Sequence, residues 1–256
     1  MCYEDALAEA TELGFAEADP SADVDGIDAA RKMVILASLA FSTEVRLDDV
    51  FVRGLKEICD GDLELAEQFG YTVKLAGSAK KDADGIEVAV EPVLFPNSHP
   101  LASVNNEFNA VYVYGDAVGE TMFYGPGAGS LPTATSVTGD IVAACRNLLL
   151  GVNGKRPHAP QYARKVKSDD TKIARYFHRI RVKDEIGVLT KLTAIYSEQG
   201  ASLATVIQHS DKTGADADLI FITHQISRKQ HLNIVTELNQ TPEVIGLLSH
   251  YRVEGE

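Results

Sequence analysis

The sequence predicts an α+β protein: a mixed sheet packed with helices, followed by a smaller ferredoxin-like βαββαβ unit. Three observations predict it. Segments of alternating or β-branched character come in pairs with turn signals between them, and they are flanked by helical periodicities. A stretch of glycine, proline and charge near residue 160 lacks any period. After that stretch, strands and helices follow in the order βαββαβ. The domains expected are residues 1–152, a linker over 153–170, and a second unit over 171–256.

The first helix runs from Tyr3 to Leu13, with Ala6, Leu7, Ala10 and Leu13 on one face and Gly14 as C-terminal cap. It starts almost at residue 1, so further structure is expected upstream. A polar stretch, Glu17 to Asp25, leads through Gly26 into a helix from Ile27 to about Phe41. The middle of that helix, MVILASLAF, is apolar on all sides and is expected deep in the core. A short helix covers Asp60–Gln68. Tyr71–Lys80 and Ile86–Phe95 read as strands turned at Asp82-Ala83-Asp84-Gly85, and Asn109–Tyr114 and Val118–Tyr124 as a second pair turned at Gly115-Asp116. A long helix is expected from about Thr133 to Leu150.

In the second unit the strands are Ile173–Val182, Ser202–His209, Asp218–His224 and His250–Glu254. The helices are Gly187–Gln199 and Lys229–Asn239.

Composition narrows the function. With 37 acidic and 24 basic residues the formal charge is −13, a surface that repels phosphate backbones, so nucleic acid is not an expected partner. No apolar run reaches membrane-spanning length and the N-terminus does not resemble a signal peptide, so a cytoplasmic protein is expected. Cys2, Cys59 and Cys145 lack the spacing of a zinc site or a disulfide framework, and no metal is expected. Cys59 and Cys145 are expected to be buried thiols. His209, His224, His231 and His250 are scattered along the chain and suggest no metal site.

Three stretches carry candidate chemistry. Five carboxylates lie between Glu17 and Asp28, just before the apolar helix, and Asp28 and Lys32 share one face of it. Desolvation of such a pair at a core boundary would suit proton transfer. The same pattern also suits a plain surface ion pair beside a helix N-terminus. Gly119 to Thr133 is a strand, a glycine-rich loop and a helix start. It would let a ligand approach backbone N–H groups, or would simply be a tight connection. In the second unit, Asp184-Glu185-Ile186-Gly187-Val188-Leu189 opens a helix and the following strand ends at Gln208. These are either a ligand loop or a cap, a turn glycine and a surface amide.

The run AEADPSADVDGIDAARK resembles the signature A-E-x-D-P-x-x-D-V-x-G-x-D-A-A-x-K of homoserine dehydrogenases. HPLASVNNEFNAV and GETMFYGPGAGSLPTATSVTGDIV are similar to later segments of that family's catalytic domain, in the same order, so the similarity covers residues 3 to about 149. The resemblance implies reduction of aspartate semialdehyde to homoserine with NADH or NADPH. It implies Lys32 as proton donor and Asp28 as a catalytic and substrate-binding carboxylate. It further implies Glu17 and Asp23 as substrate-binding carboxylates, and Gly14 and Gly129 as backbone contacts to the cofactor. The family's glycine-rich dinucleotide-binding domain is not in this sequence, so the chain alone is not expected to turn over substrate. The second unit resembles an ACT domain, with Ile186 where the family's turn has proline. That resemblance implies a side-by-side oligomer, dimer or tetramer, and an amino-acid effector, usually threonine, at Asp184, Gly187 and Gln208. The other possibility is a non-catalytic module that binds amino acids.

Overall fold

A computed structural model describes residues 3–12, 19–152, 160–210 and 215–255. The first half contains α1 (Tyr3–Glu12), α2 (Ser21–Val24), α3 (Ile27–Phe41), β1 (Val50–Val52), α4 (Asp60–Gln68), β2 (Tyr71–Asp82), β3 (Gly85–Pro96), β4 (Phe108–Gly115), β5 (Gly119–Pro126) and α5 (Ser130–Leu149). The second half contains β6 (Ile173–Lys183), α6 (Val188–Glu198), β7 (Leu203–Ser210), β8 (Asp216–Thr223), β9 (Ile226–Ser227), α7 (Arg228–Gln240) and β10 (Val244–Val253).

β2 and β3 form a long hairpin in register from Tyr71↔Pro96 to Asp82↔Gly85. β3 is buried along nearly its whole length, as its apolar run demands. Its other edge pairs in parallel with two strands: β1 at Val88–Val90, and β10, the last strand of the chain, at Val93 and Leu94. β10 in turn pairs with β6, which pairs with β8, which pairs with β7. The βαββαβ unit therefore has its own sheet order, β10-β6-β8-β7, but that sheet is continuous with the first unit through β3 and β10.

Alternation along β6 divides the second unit into two faces. Tyr176, Ile180 and Val182 join Leu192, Tyr196, Ile234 and Leu238 in the core beneath α6 and α7. Phe177 points the other way, with Ile220, Ile222 and Tyr251, against Ala66 and Leu65 of α4. A first-unit helix thus covers the back of the second unit's sheet. Asp62 of α4 is buried there at 1% exposure. It accepts hydrogen bonds from Arg179 Nη1 (3.1 Å), Ser249 Oγ (2.8 Å) and Tyr251 Oη (2.6 Å). Gly61 leaves the space Arg179 needs, since a Cβ there would lie 2.9 Å from Nη1.

Two expectations need correction. α3 is not buried on all sides. Ala30 and Ala37 face the sheet, and Met33 fills the space above Gly77, where a Cβ would come within 2.5 Å of it. Ile35, Leu36 and Leu39 are exposed on the opposite side. Small residues on one face let the helix sit close to the strands, and a single flat sheet can cover only that face. Cys59 and Cys145 are exposed, because Cys59 caps α4 and Cys145 lies on α5, which is open along its length. The expected linker is anchored where described. The Ile86 amide donates to the Lys165 carbonyl at 2.8 Å, the Lys167 amide donates to the Ile86 carbonyl at 2.9 Å, and Lys167 pairs with Asp82. Aperiodic residues can still add to a strand edge by backbone bonding, which leaves no mark in side-chain pattern.

Candidate active site

The described part of the acidic stretch, from Asp19 onward, forms a short helix and a glycine turn. Asp19 Oδ1 accepts from the Ser21 amide at 3.1 Å, and that serine's hydroxyl and amide hold the Asp19 carboxyl below the usual carboxylate range. α2 follows, ending at buried Val24. Gly26 then takes the left-handed conformation, φ 76°, packed against Val90 and Val52 of the sheet, and so starts α3 over the end of β1. Asp28 therefore lies in the first turn of α3, with Lys32 one turn on. Their side chains form an ion pair at 2.6 Å.

The residues after β1 hold this turn from below. The Leu55 amide donates to the Val24 carbonyl at 2.8 Å, and Lys56 pairs with Asp25 at 2.7 Å. Gly54 runs so close that a Cβ would lie 2.3 Å from the Val24 oxygen. Sequence reasoning missed this loop. Its one signal was Gly54, one residue beyond the apolar run Val50-Phe51-Val52.

The predicted residues are only partly brought together. Glu17 and Gly14 lie outside the described residues. Asp23 is exposed on α2 beside the turn. Lys32 and Asp28 are 64% and 41% exposed, so the described residues do not desolvate the pair. Gly129, at φ 111°, caps the N-terminus of α5. That helix and the β4–β5 hairpin, a separate two-stranded sheet, make no substantial packing with α3.

In the second unit the Gln208 amide donates to Asp184 Oδ1 at 3.0 Å. Gly187, at φ 90°, opens α6 close by in the chain, and Ile186 beside it is fully exposed. The histidines are less scattered than the sequence suggests. His231 stacks on buried His178, with His178 Nε2 and His231 Nδ1 3.0 Å apart, and the half-buried His250 ring lies tilted against His231. Burial pushes His178 down to about 3 and His250 to about 4, and holds His231 well below the usual range. Among the described residues no group of three or more His, Cys, Asp or Glu could hold a metal ion.

A sequence model described as "Homoserine dehydrogenase" matches residues 1–142, a span that includes the turn, α3 and the glycine loop. The chain belongs to the homoserine dehydrogenase family. It is 52% identical over 255 residues to a homoserine dehydrogenase of Bacillus subtilis, covering 99% of this chain and 59% of that protein. It is 45% identical over 258 residues to one of Corynebacterium glutamicum, covering 98% of this chain and 57% of that protein. A solved homoserine dehydrogenase from Thiobacillus denitrificans superimposes with a TM-score of 0.89 at 34% identity, over 99% of this chain and 59% of that one. The chain thus spans under three-fifths of these relatives' length. No described helix is long and apolar enough to cross a membrane.

Proposed function

We propose that this chain is the substrate-gripping and proton-handling part of a homoserine dehydrogenase, joined to an ACT-type regulatory unit. The observation that carries the reading is the Asp28–Lys32 ion pair on the first turns of α3, above a turn whose geometry is tightly held. Hydride addition to an aldehyde leaves an alkoxide. An ammonium can stabilise that charge and donate the proton. In this reading Lys32 carries out that step. Asp28 orients Lys32 and, with exposed Asp23, offers carboxylates to the substrate's own ammonium group. As an ordinary exposed i, i+4 pair it would contribute only about 0.3–0.5 kcal/mol to stability. Such a contribution gives no reason for the close contact of Gly54 and the left-handed Gly26 beneath it.

The hydride donor in this reading is NADH or NADPH. The described residues do not fit it: they offer one glycine, Gly129, at an open helix start, with no surrounding cradle. The 256-residue chain by itself is expected to bind homoserine without oxidising it.

Asp184, Gly187 and Gln208 are proposed as the effector loop, with an amino acid such as threonine as ligand. In support, the first two flank the start of α6 and Gln208 reaches across to Asp184. Exposed Val111, Val113, Tyr114, Phe123 and Tyr124 on the β4–β5 hairpin support a homo-oligomer, dimer or tetramer, that would cover them. The rival reading, a module that only binds amino acids, shares the effector loop but not the substrate site.

Calorimetry separates the two. Homoserine is expected to bind the chain, and Asp28→Asn to weaken it about tenfold, the cost of one charged hydrogen bond. Gln208→Ala is expected to weaken threonine by a similar factor and leave homoserine unchanged. Threonine binding with no homoserine binding would favour the rival.

A further inference from the structure

We propose that Arg53 is a positioning residue for the substrate turn, tying that turn to the last strand of the second unit. The proposal rests on the reading of Asp28 and Lys32 given above.

Arg53 follows β1, and its amide continues the ladder by donating to the Val90 carbonyl at 2.8 Å. Its side chain is only 17% exposed. Nη1 donates to the carbonyl of His250 on β10 at 2.6 Å, and Nε donates to Glu57 at 3.1 Å. Nη2 pairs with Glu57 at 2.9 Å, and the guanidinium lies 5.6 Å from the Tyr251 ring centre. A planar fork held by a strand carbonyl, a carboxylate and a ring face has little freedom.

The next three residues each grip the acidic turn. Gly54 lies against Val24 and Asp25 with no room for a side chain. The Leu55 amide holds the Val24 carbonyl, and Lys56 holds Asp25. The turn they grip ends at Gly26, which sets the start of α3 and hence the place of Asp28. One side chain is therefore fixed to the second unit, while the backbone beside it is fixed to the substrate turn. A movement of β10 reaches Asp28 through His250, Arg53 and Val24, by hydrogen bonds and one close van der Waals contact. In this arrangement Arg53 touches no substrate and acts only through its neighbours.

The test uses the ¹⁵N-labelled full chain with Arg53→Leu and Arg53→Lys, read by amide shifts and by titration with homoserine. Arg53→Leu is expected to move the signals of Val24, Asp25, Gly26 and Asp28 while those of Leu192 and Ile234 stay in place. Homoserine affinity should fall about tenfold, since small displacements of a positioned group are costly. Arg53→Lys, which keeps a donor for the His250 carbonyl, should recover most of that loss. A purely structural role would move core signals as well and would show no such rescue. Unmoved turn signals with affinity within twofold of the unsubstituted chain overturn the proposal. If Arg53→Leu does not fold, Glu57→Gln, which loosens one partner only, should shift the same turn signals, and their constancy is equally decisive against it. If the unsubstituted chain takes up no homoserine, the substrate reading fails, while the turn signals still decide whether Arg53 holds the turn.

Discussion

Replacing Asp62 by asparagine is expected to destabilise the chain by about 3 kcal/mol, the lower end of what breaking a buried ion pair costs. Asp62 is 1% exposed and accepts from three donors on two strands of the second unit. An amide offers one acceptor oxygen where the carboxylate offers two, and turns its NH₂ towards a tyrosine or serine hydroxyl or a guanidinium. Arg179 keeps Asp218, at 2.7 Å, so its charge is not wholly stranded, and the lower figure is chosen for that reason. The measurement is the urea midpoint, with Asp28→Asn as comparison. Asp28 is in an exposed pair, and its loss should cost no more than about 0.5 kcal/mol. Equal effects of the two substitutions would mean that α4 does not hold the two units together as described.

Acid is expected to unfold the chain well above the pH at which most carboxylates titrate. His178, His231 and His250 have native pKa values below the usual 6.5, with burial the largest cause in each case. Between the native values and about pH 6.5, the unfolded chain binds protons that the native chain refuses. Stability therefore rises with pH across that window, is complete above it, and is lost as pH falls. At pH 5 each imidazole should have withdrawn about 2 kcal/mol. Glu91, whose carboxyl burial raises despite nearby Arg252, works the other way and offsets part of the loss at the acid end. Urea unfolding at pH 7.5 and pH 5.0 measures the sum. A stability that is flat across that interval would place these histidines in contact with water.

Local pattern made most elements legible. β2 and β3, β4 and β5, α4, α5 and the βαββαβ order follow from periodicity and turn residues that act within a few positions of one another. The non-local pairings were not legible. That β10 would lie against β3 depends on a match between Val253 and Leu94, which no local period encodes. The histidine cluster escaped for the same reason, since His178 and His231 stand on a strand and a helix far apart in sequence. At the candidate site, the spacing of Asp28 and Lys32 correctly put them on one face. It did not reveal which way the face points. That depends on Ala30 and Ala37 choosing the sheet, and it leaves the pair and the apolar residues Ile35 and Leu39 in the open. The Gly54–Lys56 clamp was invisible because its grip is mostly backbone.

The role given to Lys32 is tested most directly by turnover. The chain can be joined to the part of the Bacillus subtilis relative that lies outside the matched 59%, and NADP⁺-linked oxidation of homoserine followed with Lys32 intact and with Lys32→Met. If Lys32 moves the proton at the substrate oxygen, kcat falls by about 10²-fold or more, the usual weight of a positioned acid or base. A Lys32→Met protein that keeps its fold and a kcat within about threefold of the parent would show that the pair on α3 is only a surface ion pair.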